Sequence, residues 1–114
     1  ITSSYLVKED VESPILGFTI YGPSGKNILE GNTLREKQKI KNLVTGQRVE
    51  ISWKVPNIFT SGTYEISIAA CNQNATEFYD WFNEAASFII AKEGNTAGIV
   101  DPPLIIEGYR ESNP

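Results

Sequence analysis

The sequence predicts an all-β fold, an antiparallel β-sandwich of immunoglobulin-like or jelly-roll form. Three observations lead there. Apolar residues alternate with polar ones at a period of two along most of the chain. No stretch longer than about eight residues carries apolar positions at helical spacing. Pro14, Pro23, Pro56, Pro102 and Pro103 fall between the alternating segments or at their ends, where a missing N–H costs a sheet least.

Residues 4–8 read as the first strand, with Tyr5 and Val7 on one face and Leu6 on the other. Residues 17–22 form the second, with Phe18 and Ile20 facing together and Tyr21 opposed. Pro23-Ser24-Gly25 is turn chemistry, because proline fixes φ and glycine tolerates positive φ. Residues 27–31 return as the other arm of a hairpin. Residues 34–41 alternate Arg35, Lys37, Lys39 and Lys41 with Glu36, Gln38 and Ile40, which suits a lysine-protected edge strand or a long solvated loop.

Residues 47–55 alternate most clearly. Val49, Ile51, Trp53 and Val55 share a face, which places Trp53 in the core, while Glu50, Ser52 and Lys54 face the other way. Residues 62–72 follow, with Tyr64, Ile66, Ile68 and Ala70 inward and Glu65, Ser67, Ala69 and Cys71 outward. Tyr64, after Ser61-Gly62-Thr63, resembles a tyrosine corner, whose ring packs inward while its hydroxyl caps backbone. Residues 72–84 read as an irregular polar loop holding Phe78, Tyr79, Trp81 and Phe82. Residues 85–92 give a strand built on Ala86, Phe88 and Ile90, and residues 104–109 a short last strand after Pro102-Pro103. The total is about seven strands.

Composition narrows the function. The 114 residues carry a net charge of −4, which argues against nucleic acid and its demand for a basic face. No apolar run approaches the ~20 residues of a membrane-spanning helix. There is no histidine, which removes the commonest general base and transition-metal ligand and makes Ser-His and Cys-His catalysis impossible within the chain. Cys71 is the one cysteine, so no internal disulfide forms. The chain begins at Ile1 and lacks methionine, which predicts one domain, residues 1–114, excised from a longer protein. No catalytic group, metal site or cofactor is expected.

The order of several short elements resembles a known family. Pro14, Gly17, Phe18 and Ile20 are followed by Ile28, Gly31, Asn32 and Thr33, with one residue inserted between Ile28 and Gly31. Gly46, the strand ending in Pro56, and Gly62-Thr63-Tyr64 come next. Tyr79-Asp80-Trp81 and Ala85 or Ala86 to Phe88 close the series, which runs through most of residues 5–110. This pattern is similar to the C-terminal carbohydrate-binding domain of Wzt-type O-antigen polysaccharide ABC-transporter ATPases. The resemblance implies a non-catalytic domain that recognises a lipid-linked O-antigen-type polysaccharide and commits it to export. It implies a cytoplasmic place at the inner face of the inner membrane, contact with the membrane transporter through an ATPase domain, and a homodimer made by exchanging the C-terminal strand. Pro102-Pro103 suits the hinge of such an exchange.

The candidate carbohydrate-binding residues are Tyr21, Ser52, Lys54, Glu65, Ser67, Tyr79 and Trp81. Tyr21, Tyr79 and Trp81 offer flat rings for the apolar faces of sugars. Trp81 has a second reading as a packing element. Ser52 and Ser67, on the outward faces of two central strands, leave room for a glycan, with Lys54 and Glu65 at the margin to bond hydroxyls. A plain solvated sheet face is the alternative. Asn32, Thr33 and Asp80 read as structural. Two rivals to glycan recognition stand: an immunoglobulin-like structural or adhesion module without a sugar site, and a glycosidase or other enzyme.

Overall fold

A computed structural model describes all 114 residues. Six strands and no helix make two antiparallel sheets. The strands are β1 (Thr2–Leu6), β2 (Ile15–Tyr21), β3 (Asn27–Asn32), β4 (Arg48–Ser52), β5 (Gly62–Cys71) and β6 (Phe78–Ile90). β1 pairs with β4 alone, and the larger sheet runs β3-β2-β5-β6.

The hairpin of β2 and β3 turns as its residues dictate. The Gly25 amide donates to the Gly22 carbonyl at 2.9 Å with Pro23 and Ser24 between them, and Gly25 sits at φ +80°. The glycines of the two strands answer to packing. A Cβ on Gly31 would lie 2.8 Å from the Phe18 ring, and one on Gly17 would lie 2.8 Å from the Gly31 carbonyl oxygen. The Gly-Phe pairing in the sequence is therefore a close-approach requirement of two neighbouring strands.

Phe18, Ile20, Phe59, Tyr64 and Ile66 form the core, and Trp53, Val55, Phe88 and Ile90 pack around them. Trp53 meets Phe18 edge-on at 5.1 Å, which places it in the core as its phase predicts. The tyrosine corner is present: Tyr64 is 2% exposed, and its hydroxyl donates to the Thr60 carbonyl at 2.8 Å and bonds the Thr60 hydroxyl at 3.0 Å. Thr33 is structural, since its Oγ1 accepts from the buried Leu16 amide at 3.1 Å.

Two segments depart from expectation, and a third resolves between two readings. Residues 78–84 belong to a long edge strand. Their aromatic residues favour strand geometry, but two register shifts against β5 break the period of two that would have revealed it. Residues 34–41 take the second of their two readings, a solvated loop, and form no edge strand. The Asn32 side chain accepts from the Arg35 amide at 2.8 Å, its carbonyl accepts from the Glu36 amide at 3.1 Å, and the chain coils into a turn. Residues 104–109 form no strand either, because no other part of this chain lies alongside to complete a ladder. Every residue from 103 onward is exposed, and the molecule measures 74 × 26 × 23 Å.

Candidate functional site

The two sheets are unequal, and that decides where a site is available. The β1–β4 ribbon covers one face of the four-stranded sheet. The opposite face is open, and the register fixes which side chains stand in rows across it. Ile15, Cys71 and Phe78 form the first row. Asn32, Gly17, Ala69 and Trp81 form the second, and Glu30, Thr19 and Ser67 the third, with Asn83 reaching Ser67 from the bulge in β6. Tyr21, Glu65 and Ser87 form the fourth. Rows two residues apart are about 6.8 Å apart, so the four rows cover roughly 20 Å of sheet.

The middle of this face is low because Gly17, Thr19, Ser67 and Ala69 are small. Its rims are high because β6 raises Phe78 and Trp81 on one side and Leu34 stands on the other. The result is a trough in two parts that meet at Ser67. The apolar part, beside Trp81, has a volume of about 350 Å³. The polar part, lined by Tyr21, Thr63, Glu65, Asn83 and Glu84, has about 560 Å³. No lysine or arginine lines either part.

Trp81 is held and yet open. The residue is 43% exposed, and its ring meets that of Phe78 edge-on at 5.0 Å. Its indole N–H donates to Asn83 Oδ1, which also accepts from the Ser67 hydroxyl at 3.3 Å. These bonds fix the indole beside Gly17 and Ala69, where nothing rises to cover it. Cys71 lines the apolar part, and burial raises its thiol pKa above the ordinary value.

Of the residues expected to bind, the structure brings Tyr21, Glu65, Ser67 and Trp81 together in the trough. It separates the other three. Ser52 and Lys54 do not share a surface with Glu65 and Ser67, because β4 pairs with β1 in the other sheet. Ser52 bonds the Thr2 hydroxyl at 2.9 Å on the outside of that ribbon, and Lys54 lies by Trp53 and the β3 edge. Tyr79 is turned by the bulge opposite Ala70 and Cys71 onto the other face. There it lines a cavity of about 420 Å³ between the sheets with Tyr5, Val7, Leu16, Val49 and Asp80. Burial, with the Asp80 charge adding to it, raises the Tyr5 hydroxyl pKa in this cavity. Sequence reasoning missed Thr19, Asn83, Glu84 and Glu30. Thr19 was findable, since it is two residues from Tyr21 on the same strand; Asn83 and Glu84 lie in the strand whose period the bulges hide.

Chemically, the trough presents an aromatic platform, hydroxyls, an amide and carboxylates. No group of three or more histidine, cysteine or acidic residues lies close enough to hold a metal ion. No helix is long and apolar enough to cross a membrane.

The architecture matches a crystal structure described as the C-terminal domain of Wzt. The TM-score is 0.80 at 16% identity, over 95% of this chain and 68% of that one. Among curated proteins none matches significantly. At that identity the structural likeness carries the fold alone. The sequence itself matches the family model of the Wzt C-terminal domain from residue 1 to residue 102. On that match, which takes in every strand of both sheets, the chain belongs to the Wzt C-terminal domain family.

Proposed function

We propose that the domain recognises an O-antigen-type polysaccharide, without changing any covalent bond in it, and commits the lipid-linked chain to export by an ABC transporter. It would act on the cytoplasmic side of the inner membrane, joined to an ATPase domain. The observation that carries this reading is the trough: Trp81 stands exposed beside Gly17 and Ala69, with Ser67, Asn83 and Glu65 following along the same channel. A sugar ring needs a flat apolar surface for its C–H face and hydrogen-bonding groups for its hydroxyls, and the channel supplies both in sequence. An elongated open channel suits an internal stretch or an end of a polymer. One stacked ring and a few exposed hydrogen bonds give affinities of about µM to mM.

Two domains per transporter would raise that affinity by avidity. Pairing through the C-terminal segment is part of the proposal. Leu104, Ile105 and Ile106 are 85–88% exposed in the single chain, beyond two prolines that keep the path extended. Such a run favours β-pairing with an open strand edge.

The test is retention of polysaccharide from the source organism against a foreign polysaccharide, with alkylation of Cys71 as a footprint. Retention of the first alone, with slowed alkylation of Cys71, is the expected result. Equal retention of both, or none, removes specific recognition and leaves an immunoglobulin-like structural module.

A further inference from the structure

The two ends of the apolar part offer a sugar different things. Trp81 stands in the middle row beside Gly17 and Ala69, and the rows on either side lie about 6.8 Å away. On one side Glu30, Thr19 and Ser67 supply a carboxylate and two hydroxyls. On the other stand Ile15, Cys71 and Phe78, with Leu34 and Ala75 closing the end. None of these five side chains carries a charge, an amide or a hydroxyl. The backbone of β2 and β5 beneath them is paired in its own ladder. Asn32, in the middle row, has its side-chain oxygen taken by the Arg35 amide at 2.8 Å.

A second observation points to a ligand in this same space. Thr19 is nine-tenths buried, and its side chain makes no hydrogen bond within the protein. No polar side-chain atom of the protein is sealed away without a partner, so the Thr19 hydroxyl opens into the apolar part of the trough. A buried hydroxyl normally finds a bond inside the fold. Ser67 beside it does, donating to Asn83 and keeping an oxygen that accepts. Glu30 spends one carboxylate oxygen on the Asn27 amide at 3.2 Å. Thr19 faces the cavity free to donate and to accept, which suits a ring hydroxyl.

We propose that the apolar part of the trough is a subsite for a deoxyhexose of the rhamnose or fucose type, with a ring hydroxyl on Thr19 and the exocyclic methyl against Ile15, Cys71 and Phe78. The inference rests on the glycan-recognition reading above and names the class of sugar at one position. A ring stacked on Trp81 has one edge toward the Thr19 row and the other toward the Ile15 row. An ordinary hexose puts a hydroxyl on both edges, and the one beside Ile15 and Cys71 loses water without gaining a partner. A methyl on that edge meets only apolar atoms. An acetamido group reaches the same end but carries an N–H and a carbonyl into it, and neither finds a bond there. The trough is open above, so a hydroxymethyl tips toward water at moderate cost, and the discrimination is about tenfold rather than absolute.

The experiment titrates the intact domain with two matched pairs, L-rhamnose against L-mannose and L-fucose against L-galactose, and with N-acetylglucosamine. Each pair differs only in methyl against hydroxymethyl. Binding is read by Trp81 fluorescence and by protection of the Cys71 thiol from alkylation. In at least one pair the deoxy sugar is expected to bind about tenfold tighter and to protect Cys71 more than its counterpart, with N-acetylglucosamine weaker than that deoxy sugar. Thr19→Val keeps the side-chain shape and should weaken the deoxy sugar about tenfold without changing the melting temperature. Cys71→Ser places a hydroxyl where the methyl would lie and should bring the pair toward parity in fluorescence. Parity in both pairs, tighter binding of the hydroxylated members or of N-acetylglucosamine, unchanged affinity in a folded Thr19→Val, or no response to any probe overturns the subsite. A domain that still retains its own polysaccharide under any of these outcomes keeps the broader reading; one that retains none loses both.

Discussion

Replacing Trp81 by alanine removes the platform on which the proposed recognition depends, and the structure sets the size of the effect. A tryptophan side chain can bury up to about 250 Å². With 43% of Trp81 open to the trough, a sugar that covers between half and all of that surface removes roughly 55–110 Å² from water. At about 25 cal/mol per Å² this is worth about 1.4–2.7 kcal/mol, and so about ten- to a hundredfold in Kd. The assay is calorimetric titration with the polysaccharide of the source organism, paired with Trp81→Phe, which keeps a ring and should lose less. Trp81 and Trp53 are the two tryptophans, and Trp53 is held against Phe18 in the core, so Trp81→Phe should also silence the fluorescence response to ligand. Thermal melting checks the fold, which should persist because the ring stands on an edge strand. A Trp81→Ala domain that melts as a folded protein and binds within twofold of the original refutes the argument.

Other outcomes follow from the same geometry. Ser52→Ala and Lys54→Ala should leave polysaccharide binding unchanged, because both residues lie away from the trough; a loss of binding in titration would move the site to the other sheet. Tyr64→Phe should cost about 1–3 kcal/mol in urea unfolding by removing both bonds to Thr60, and a double cycle with Thr60→Ala should show strong coupling. Gly31→Ala should cost about 1–3 kcal/mol, since its new methyl meets the Phe18 ring; an unchanged urea midpoint would contradict the close packing. Asp10 accepts from the Thr45 amide at 2.8 Å and the Thr45 hydroxyl at 3.0 Å, which lowers its carboxyl pKa below the ordinary aspartate value. Its contribution is therefore present above the unfolded value and lost as pH falls through the lower folded one, so acid-unfolding curves of the original and Asp10→Asn should converge at the acid end. A chain ending before Pro102 should sediment as a monomer if the C-terminal segment makes the dimer, and an unchanged dimer would exclude that segment.

The sequence was most readable where one side chain in two is buried. The inward residues of β4 and β5, the hairpin turn at Pro23-Ser24-Gly25 and the tyrosine corner at Tyr64 are all local consequences of period-two burial and turn chemistry. Pairing was not readable. Alternation says which way Ser52 and Ser67 point from their own strands and nothing about which strands are neighbours, so a surface drawn across β4 and β5 failed. β6 was hidden for a different reason. Bulges opposite Ser67 and at Tyr79 shift its phase twice, and an edge strand exposed on much of both faces loses the contrast between buried and open positions.

The bulges in β6 also bear on how such a protein changes over generations. Their extra residues, around Asn83 and Glu84, have no counterpart in β5 and hold up no part of the hydrophobic interior. Substituting, adding or deleting a residue there would alter what the molecule grips while the inherited framework stays whole. On the proposed reading, a lineage whose surface polymer drifts can thus follow it by editing a few codons on one margin.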